Sequence, residues 1–207
     1  MIDRGQQIQI KLPAPSHKGA VSVEEAIAKR RSVRRYRTEP LSLSHLSQVL
    51  WSAQGLTETK GLRAVPSAGA TFPLEVLLVA GENSVATLEG GLYAYVVDTH
   101  SLSLHRRGDV RAKLAAAALE QSFIAKAPVD IVVCALYQRT CYRYGRRGER
   151  YVHMEAGHVG QNIHLQAAAL GLATVMVGAF DDAEVQKVLG LEEQFKPLYI
   201  MPLGKSL

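Results

Sequence analysis

Residues 30–36 carry the strongest chemical signal in the sequence. They read Arg-Arg-Ser-Val-Arg-Arg-Tyr and follow a stretch that predicts a capped helix. Alternate side chains of an extended chain point the same way, so Arg30, Ser32 and Arg34 would share one side. Two guanidinium groups and a hydroxyl at one point can bind a phosphate through charge-assisted hydrogen bonds. The pattern predicts a phosphate clamp, and a solvated basic turn is the alternative.

A second unusual stretch, residues 65–75, combines small residues with Pro66 and Pro73. Small side chains and fixed proline dihedrals allow a backbone to lie flat against a planar ligand. Ser67 would supply a hydrogen-bonding group there. A purely structural loop is the alternative.

A third stretch, residues 177–181, ends a predicted strand just before a predicted helix cap. Gly178 and Ala179 are small, so their amide groups would be open to an anionic or electron-rich ligand edge. We expect these two amides to belong to the same binding site.

The elements that position these stretches are predicted from periodicity and capping signals. Ser22 begins one helix, Ser42 or Ser44 begins the next, and Asp181 begins a third. Two more helices are predicted at 109–121 and about 150–170. Strands are predicted at 74–80, 92–98, 101–105, 129–136, 173–177 and 198–203.

The predicted helix at about 150–170 bears an apolar stripe on one side. A second stripe at helical spacing consists of small or compact residues: Gly157, Gly160, His164 and Ala168. Small residues let another backbone approach closely, so we expect this helix to cross a second one, such as its own symmetry mate.

Composition limits the class of protein. The chain has 207 residues, of which 47% are hydrophobic and 21% are charged, which is typical of a globular protein with a real core. Helices and strands alternate irregularly, which favours an α+β sandwich in one domain, residues 1–207, over a doubly wound sheet. Residues 1–20 read as an extended N-terminal arm. Two cysteines without C-x-x-C spacing, no signal sequence and no apolar span predict a cytoplasmic protein outside the membrane.

Several common site motifs are absent or incomplete. The sequence has no G-x-G-x-x-G fingerprint, and Gly204-Lys205-Ser206 lacks the earlier glycine and the following helix of a P-loop. Glu155 and His158 resemble half of a di-iron site, but no second Glu-x-x-His exists. We therefore expect no metal and interpret these side chains as satisfied polar groups. Cys134, in a valine-rich stretch, is expected in the core.

Taken in order, the three stretches resemble the nitroreductase family of flavoproteins, most closely its SagB/ThcOx-type branch, which is associated with azoline oxidation in ribosomal peptides. Further similarity lies in residues 10–13 and in Tyr-Val-His-Met-Glu-Ala-Gly-His at 151–158. The resemblance covers nearly the whole chain. It implies a three-layer α+β sandwich with a mainly antiparallel sheet, forming an intertwined homodimer with two FMN sites at the subunit interface.

Site roles follow from the resemblance, position by position. Arg30, Ser32 and Arg34 would hold the FMN phosphate and ribityl chain, with Arg31 beside them. Pro66, Ser67, Ala68 and Gly69, from the other subunit, would pack along the isoalloxazine. The amides of Gly178 and Ala179 would face its N5 edge. Lys205 is the basic residue near the chain end that could reach the phosphate. No side chain is assigned a catalytic role.

The resemblance also implies a reaction. NAD(P)H would visit transiently, give a hydride to bound FMN and be replaced by a small organic acceptor, such as a nitroaromatic or a quinone, in a ping-pong cycle. One alternative is an azoline oxidase that reoxidises FMN with oxygen, and another is a flavin-binding protein without turnover. A basic nucleic-acid-binding module is the alternative of another class. The net charge of +5 suits it, but aromatic residues make up only 6% and are not interleaved with the arginines, so we expect no nucleic-acid partner.

Overall fold

The computed structural model describes residues 8–207, and its centre is a seven-stranded sheet. The strands are β1 (Gln9–Lys11), β2 (Leu74–Ala80), β3 (Gly91–Val96), β4 (Ser101–Arg107), β5 (Val129–Ala135), β6 (Leu172–Thr174) and β7 (Lys196–Lys205). They lie in the order β1-β4-β3-β2-β5-β7-β6, and every neighbouring pair is antiparallel. The predicted α+β class and the mainly antiparallel sheet are confirmed.

Seven α-helices accompany the sheet in the described part of the chain. They are α1 (Val23–Lys29), α2 (Leu43–Gln54), α3 (Arg111–Ala117), α4 (Phe123–Lys126), α5 (Tyr137–Tyr144), α6 (Arg147–Ala169) and α7 (Asp182–Leu189). The hydroxyls of Ser22 and Ser42 and the carboxylate of Asp181 accept amide hydrogen bonds in the first turns of α1, α2 and α7. These caps satisfy amides that lack a partner within the helix, and the predicted helix starts are confirmed.

Two predicted boundaries are wrong, and one helix was missed. The helix expected at 109–121 ends at Ala117, because Leu119 and Glu120 adopt positive φ angles of 56° and 60°, which no helix accepts. The strand expected at 173–177 stops at Thr174, and only Val177 pairs again, with Ile200. Helix α5 was not predicted, because it is only eight residues long and polar overall, and Thr140 is the one residue in it that is fully buried.

Strand alternation divides the core into two layers. In β2, Val76 and Leu78 pack with α2 and α6 on one face, whereas Leu77 and Val79 pack with α3, α4 and α7 on the other. Every residue of β5 is buried, as expected for a central strand covered on both faces. Cys134 of β5 lies in the second layer, so its predicted place in the core is confirmed. The result is the predicted three-layer sandwich of helices, sheet and helices.

The N-terminal arm lies against its own chain. After β1, which was not predicted, the carbonyl oxygen of Pro13 accepts a hydrogen bond from Ser47 of α2, and the ring of His17 stacks on Trp51 at 5.1 Å. The backbone amide of Ser16 donates to Gln48 of the same helix. The expectation of an arm also included residues 1–7, which lie outside the described residues.

Helix α6 contradicts one expectation. A Cβ atom added to Gly160 would collide with the sulfur of Met176 and come within 3.7 Å of Tyr199, so this glycine accommodates side chains of its own chain. His164, in the same stripe, is also buried within the chain. The prediction that this stripe meets a second helix is therefore wrong at Gly160, which faces Met176 and Tyr199 instead. Gly157 has open space beside it.

None of the helices in residues 8–207 combines the length and apolar character needed to cross a bilayer.

Candidate flavin-binding site

The arginine segment after α1 is held against the last strands of the sheet. The amide of Val33 donates to the carbonyl oxygen of Thr174 at 2.9 Å, and Ser32 forms a parallel bridge with Thr174. Further along, the amide of Arg37 donates to the carbonyl oxygen of Lys205 at 3.0 Å. The predicted extended conformation is confirmed, and it extends the sheet beyond β6. We call residues 30–34 the clamp segment.

The guanidinium groups of the clamp segment are not neutralised. Within residues 8–207, no carboxylate forms a salt bridge with Arg30, Arg31 or Arg34. Arg31 turns back onto the carbonyl oxygens of Ala28 and Arg30, whereas Arg34 lies 5.7 Å from the ring centroid of Phe123. An anion could therefore bind Arg30 and Arg34 without displacing an acidic side chain.

Two buried polar atoms beside the clamp segment lack partners in the described part of the chain. They are Oγ1 of Thr174 and Nε2 of His164, and each residue is only 2% exposed. Burial, aided by the charge of Arg30, lowers the pKa of His164 to about 4. His164 is therefore neutral at physiological pH and adds no charge to the site. Unpaired polar atoms in such positions are costly unless a ligand or water pairs with them.

Lys205 differs from the other predicted ligands. It lies at the same sheet edge, but its ammonium group already forms a 2.6 Å salt bridge with Glu39. Glu39 also pairs with Arg37 at 3.6 Å. A phosphate would have to compete with this carboxylate for Lys205.

The backbone after β6 offers two exposed amides. Gly178 and Ala179 are exposed, and their N–H groups have no acceptor among residues 8–207. The segment is fixed on both sides, because Val177 exchanges two hydrogen bonds with Ile200 and Asp181 donates to Ala117. The side-chain amide of Gln121 donates to the carbonyl oxygen of Ala179 at 2.8 Å. The two amides are thus held in place and available, as the sequence predicts.

The loop at residues 66–72 is strained and heavily supported; we call it the flat loop. Gly69, Ala70 and Phe72 have φ angles of 60°, 53° and 44°. Such angles are costly for Ala and especially for a bulky residue such as Phe, so they persist only where the surroundings impose them. Strained backbone of this kind is found disproportionately at functional sites.

A ring of side chains holds the flat loop. Ser67 Oγ accepts from the amide of Phe72 at 2.9 Å, and the guanidinium of Arg63 lies 4.3 Å from the Phe72 ring centroid. Arg63 donates to Gln54 Oε1 at 2.9 Å. Gln54 and Ser67 both lie near the carboxyl group of Glu155 on α6. The contacts therefore form a closed ring, which we call the circuit. Its members, in order, are Ser67, Phe72, Arg63, Gln54 and Glu155.

Glu155 is the titratable member of this circuit. It is 3% exposed, and burial raises the pKa of its carboxyl group, while Ser67, Gln54 and Arg63 act in the opposite direction. Its Oε1 atom and Nε2 of Gln54 lack hydrogen-bond partners within the described residues. The interpretation of Glu155 as a satisfied polar group is therefore wrong. A lone carboxylate between the apolar positions Val152, Ala156 and Val159 was the signal available in the sequence.

The clamp segment and the flat loop do not converge within one chain. Ser67 lies near Glu155 of α6, whereas Arg30 lies near His164 of the same helix. Nine residues of helix correspond to about 13 Å and about two and a half turns, so the two contacts lie on opposite faces of α6.

Comparison with known proteins agrees with this architecture. The nitroreductase family model matches residues 27–205, so the chain belongs to the nitroreductase family. A candidate nitroreductase of Methanocaldococcus jannaschii, MJ1384, is 44% identical over 203 residues, which cover 98% of this chain and 99% of that protein. A solved structure of a candidate nitroreductase from Anabaena variabilis superposes with a TM-score of 0.85 at 29% identity, covering 98% of this chain and 42% of the other.

A third relative supports the predicted branch. The microcin B17-processing protein McbC of Escherichia coli is 27% identical over 150 residues, which cover 69% of this chain. The match spans 54% of McbC, so this chain corresponds to about half of that relative. The resemblance to the SagB/ThcOx-type branch is confirmed at this level.

Proposed function

We propose that the protein is an FMN-dependent oxidoreductase that passes electrons from NAD(P)H to a small organic acceptor in a ping-pong cycle. Membership of the nitroreductase family supports the general activity. The observation that carries the cofactor assignment is the state of the clamp segment. Arg30 and Arg34 form no salt bridge within residues 8–207, and the nearby buried atoms Thr174 Oγ1 and His164 Nε2 have no hydrogen-bond partner there. This donor set fits a phosphate and a polyhydroxyl chain.

Each set of residues has a distinct part in this proposal. Arg30, Arg31, Ser32 and Arg34 bind the phosphate and ribityl chain, and Lys205 contributes only if Glu39 releases it. Pro66, Ser67, Ala68 and Gly69 of the partner subunit cover one face of the ring. FMN, when bound, supplies the two-electron chemistry. The amides of Gly178 and Ala179 donate hydrogen bonds towards the ring edge and stabilise negative charge that develops there.

The proposal includes a homodimer of single-domain subunits. Its support is geometric, because the clamp segment and the flat loop lie on opposite faces of α6 and complete one site only when two chains meet. A cytoplasmic location belongs to the same proposal. Both cysteines, Cys134 and Cys141, are free, which fits a reducing compartment.

A second candidate is an azoline oxidase that passes electrons from a heterocyclised peptide to oxygen. The similarity to the microcin B17-processing protein McbC favours it. The two candidates differ in whether a nicotinamide nucleotide donates the electrons.

A visible absorption spectrum before and after anaerobic addition of NADH or NADPH tests both candidates. We expect the flavin bands of the purified, FMN-loaded protein to bleach with one of the nucleotides. Flavin that stays oxidised with both nucleotides would support the azoline oxidase or a carrier without turnover. A colourless protein that also fails to bind added FMN would contradict the cofactor assignment.

A further inference from the structure

A strongly basic surface borders the flat loop. It consists of four arginines at the end of α5 and the start of α6, which we call the arginine rim: Arg143, Arg146, Arg147 and Arg150. Arg143 donates to the carbonyl oxygen of Gly69 at 3.2 Å, and a Cβ atom on Gly69 would lie 2.5 Å from the hydroxyl of Tyr144. The rim is therefore in direct contact with the loop that covers the ring in the proposed function.

The positive charge of the rim is not compensated inside the protein. Among residues 8–207, no carboxylate forms a salt bridge with any of its four arginines, and Glu149 is the single acidic residue in that stretch of sequence. Arg139, one α5 turn before Arg143, shows the contrast, since Glu75 neutralises it at 2.6 Å. The rim thus leaves a net positive surface at the edge of the site.

Aromatic rings are built into the same surface. The guanidinium of Arg143 lies 5.5 Å from the ring centroid of Tyr144, and that of Arg147 lies 5.9 Å from the ring of Tyr151. The two tyrosine rings meet edge to face at 5.2 Å. The expectation that aromatics are not interleaved with the arginines is therefore wrong for this cluster. Planar guanidinium groups beside aromatic rings suit a ligand that is itself planar and negatively charged.

We propose that the arginine rim makes the enzyme selective for anionic aromatic electron acceptors, such as carboxylated or sulfonated nitroarenes and quinones. This inference rests on the proposed function. The acceptor's carboxylate or sulfonate pairs with Arg143 and Arg147, and its ring lies beside the flat loop, against the face of the flavin that the loop leaves uncovered. Bidentate pairing selects an acceptor by its charge and also fixes its orientation. A neutral acceptor of the same shape enters without that pairing.

A matched pair of acceptors tests the proposal. 4-Nitrobenzoate and 4-nitrobenzamide have nearly the same shape and differ in charge. In each turnover the nitro group accepts a hydride equivalent, which is two electrons and one proton, from the nucleotide and one further proton from solvent. It loses one oxygen atom as water, so nitroarene, NAD(P)H and one proton yield nitrosoarene, NAD(P)+ and water. The quantity to compare is the ratio of kcat/KM for the anionic and the neutral acceptor.

The double variant Arg143→Gln/Arg147→Gln should lower this ratio about tenfold relative to the unmodified protein, corresponding to about 1.4 kcal/mol of lost selectivity. Comparing ratios cancels the different reactivity of the two compounds and any general loss of activity. The charge-matched control is Lys11→Gln/Lys113→Gln, on β1 and α3, where both side chains are exposed. It should keep the ratio unchanged. Raising the salt concentration should weaken the preference of the unmodified protein, because the rim is exposed to solvent.

An unchanged ratio in the rim variant, or an equal fall in the lysine control, would overturn the proposal. Calorimetric titration of the oxidised protein with 4-nitrobenzoate provides a readout without turnover, and the rim variant should bind it more weakly than the control does. If NADH and NADPH both fail to bleach the flavin, the proposed function fails, while this titration still tests the rim. A short oligothymidylate that displaces 4-nitrobenzoate with a steep salt dependence would instead assign the surface to nucleic acid and overturn the proposal.

Discussion

The clamp segment and the flat loop are both candidate binding elements, but they are built in opposite ways. The clamp segment is fixed mainly through its backbone, because the amide of Val33 donates to Thr174 and the carbonyl oxygen of Val33 accepts from the hydroxyl of Tyr36, whereas Arg30 and Arg34 have no salt bridge among residues 8–207. The flat loop is fixed through surrounding side chains and stores backbone strain at Ala70 and Phe72. The difference suggests that charge and reach matter in the clamp, whereas exact shape matters in the loop. Substitutions should therefore alter ligand affinity in the clamp and protein stability in the loop.

The largest effect is expected at the clamp. Arg34→Ala should weaken FMN binding by about 1.5–3 kcal/mol, because it removes a charge-assisted contact to the phosphate. Its free energy of unfolding without FMN should stay the same within about 0.5 kcal/mol, since Arg34 is exposed. Flavin fluorescence titration and denaturant unfolding measure the two quantities. Arg35→Ala, next to it on the opposite side of the extended segment, is the matched control. Equal FMN affinity in Arg34→Ala and the unmodified protein would contradict the clamp assignment.

A smaller effect, on protein stability instead of ligand affinity, is expected in the flat loop. Ser67→Ala should lower the free energy of unfolding by about 1–2 kcal/mol, because the amide of Phe72 loses its acceptor in a half-buried position. Ser44→Ala, on the exposed side of α2, is the control and should change little. Denaturant unfolding of the protein without FMN reports the difference. A loop variant as stable as the control would show that the circuit does not hold the loop.

The smallest effect depends on pH. Burial raises the pKa of Glu155 in the folded state, so the folded protein binds a proton that the unfolded chain releases. Stability from this group is present below its ordinary pKa of 4.5 and is lost as pH rises towards the folded value. Glu155→Gln, which stays neutral, should gain stability relative to the unmodified protein across that window. Each pKa unit of difference corresponds to about 1.4 kcal/mol.

Unfolding free energies of both proteins, measured at several pH values, give this comparison directly. A difference that stays constant with pH would show that Glu155 titrates normally. Glu155→Gln removes only the charge, whereas Glu155→Ala removes the charge and the contact with Ser67. Comparing the two variants therefore separates the two contributions to stability.

Much of the fold could be predicted from local signals. Serine and aspartate caps marked where α1, α2 and α7 begin, and β-branched residues marked β5. Elements whose existence depends on distant contacts were missed or misplaced. Strand β1 is three residues long and exists because β4 pairs with it, and α5 is a short helix of mostly polar residues that completely buries only Thr140.

The same distinction between local signals and distant contacts applies to the candidate site. The residue types at positions 30–34 and 178–179 were sufficient to predict an extended basic segment and exposed amides, because each property resides in a short stretch of chain. The phosphate clamp and the contact of residues 66–69 with a ring stay predictions. Glu155, Gln54 and Arg63 were not assigned to the loop, since they come from separate parts of the sequence and meet only in the folded protein. Gly160 was assigned to a partner helix because its size is visible in the sequence, whereas the atom beside it, the sulfur of Met176, is not.

The amino-acid sequence is sufficient to identify the available chemistry: which guanidinium groups, hydroxyls and amides lie close together along the chain, and which segments are extended or helical. Which of those groups are neutralised depends on the folded chain. Glu75 and Glu39 pair with Arg139 and Lys205, whereas no carboxylate among residues 8–207 pairs with Arg34 or with the arginine rim. The physical reason is that local conformation follows from near neighbours, but charge pairing and burial depend on residues that folding brings together from distant parts of the chain.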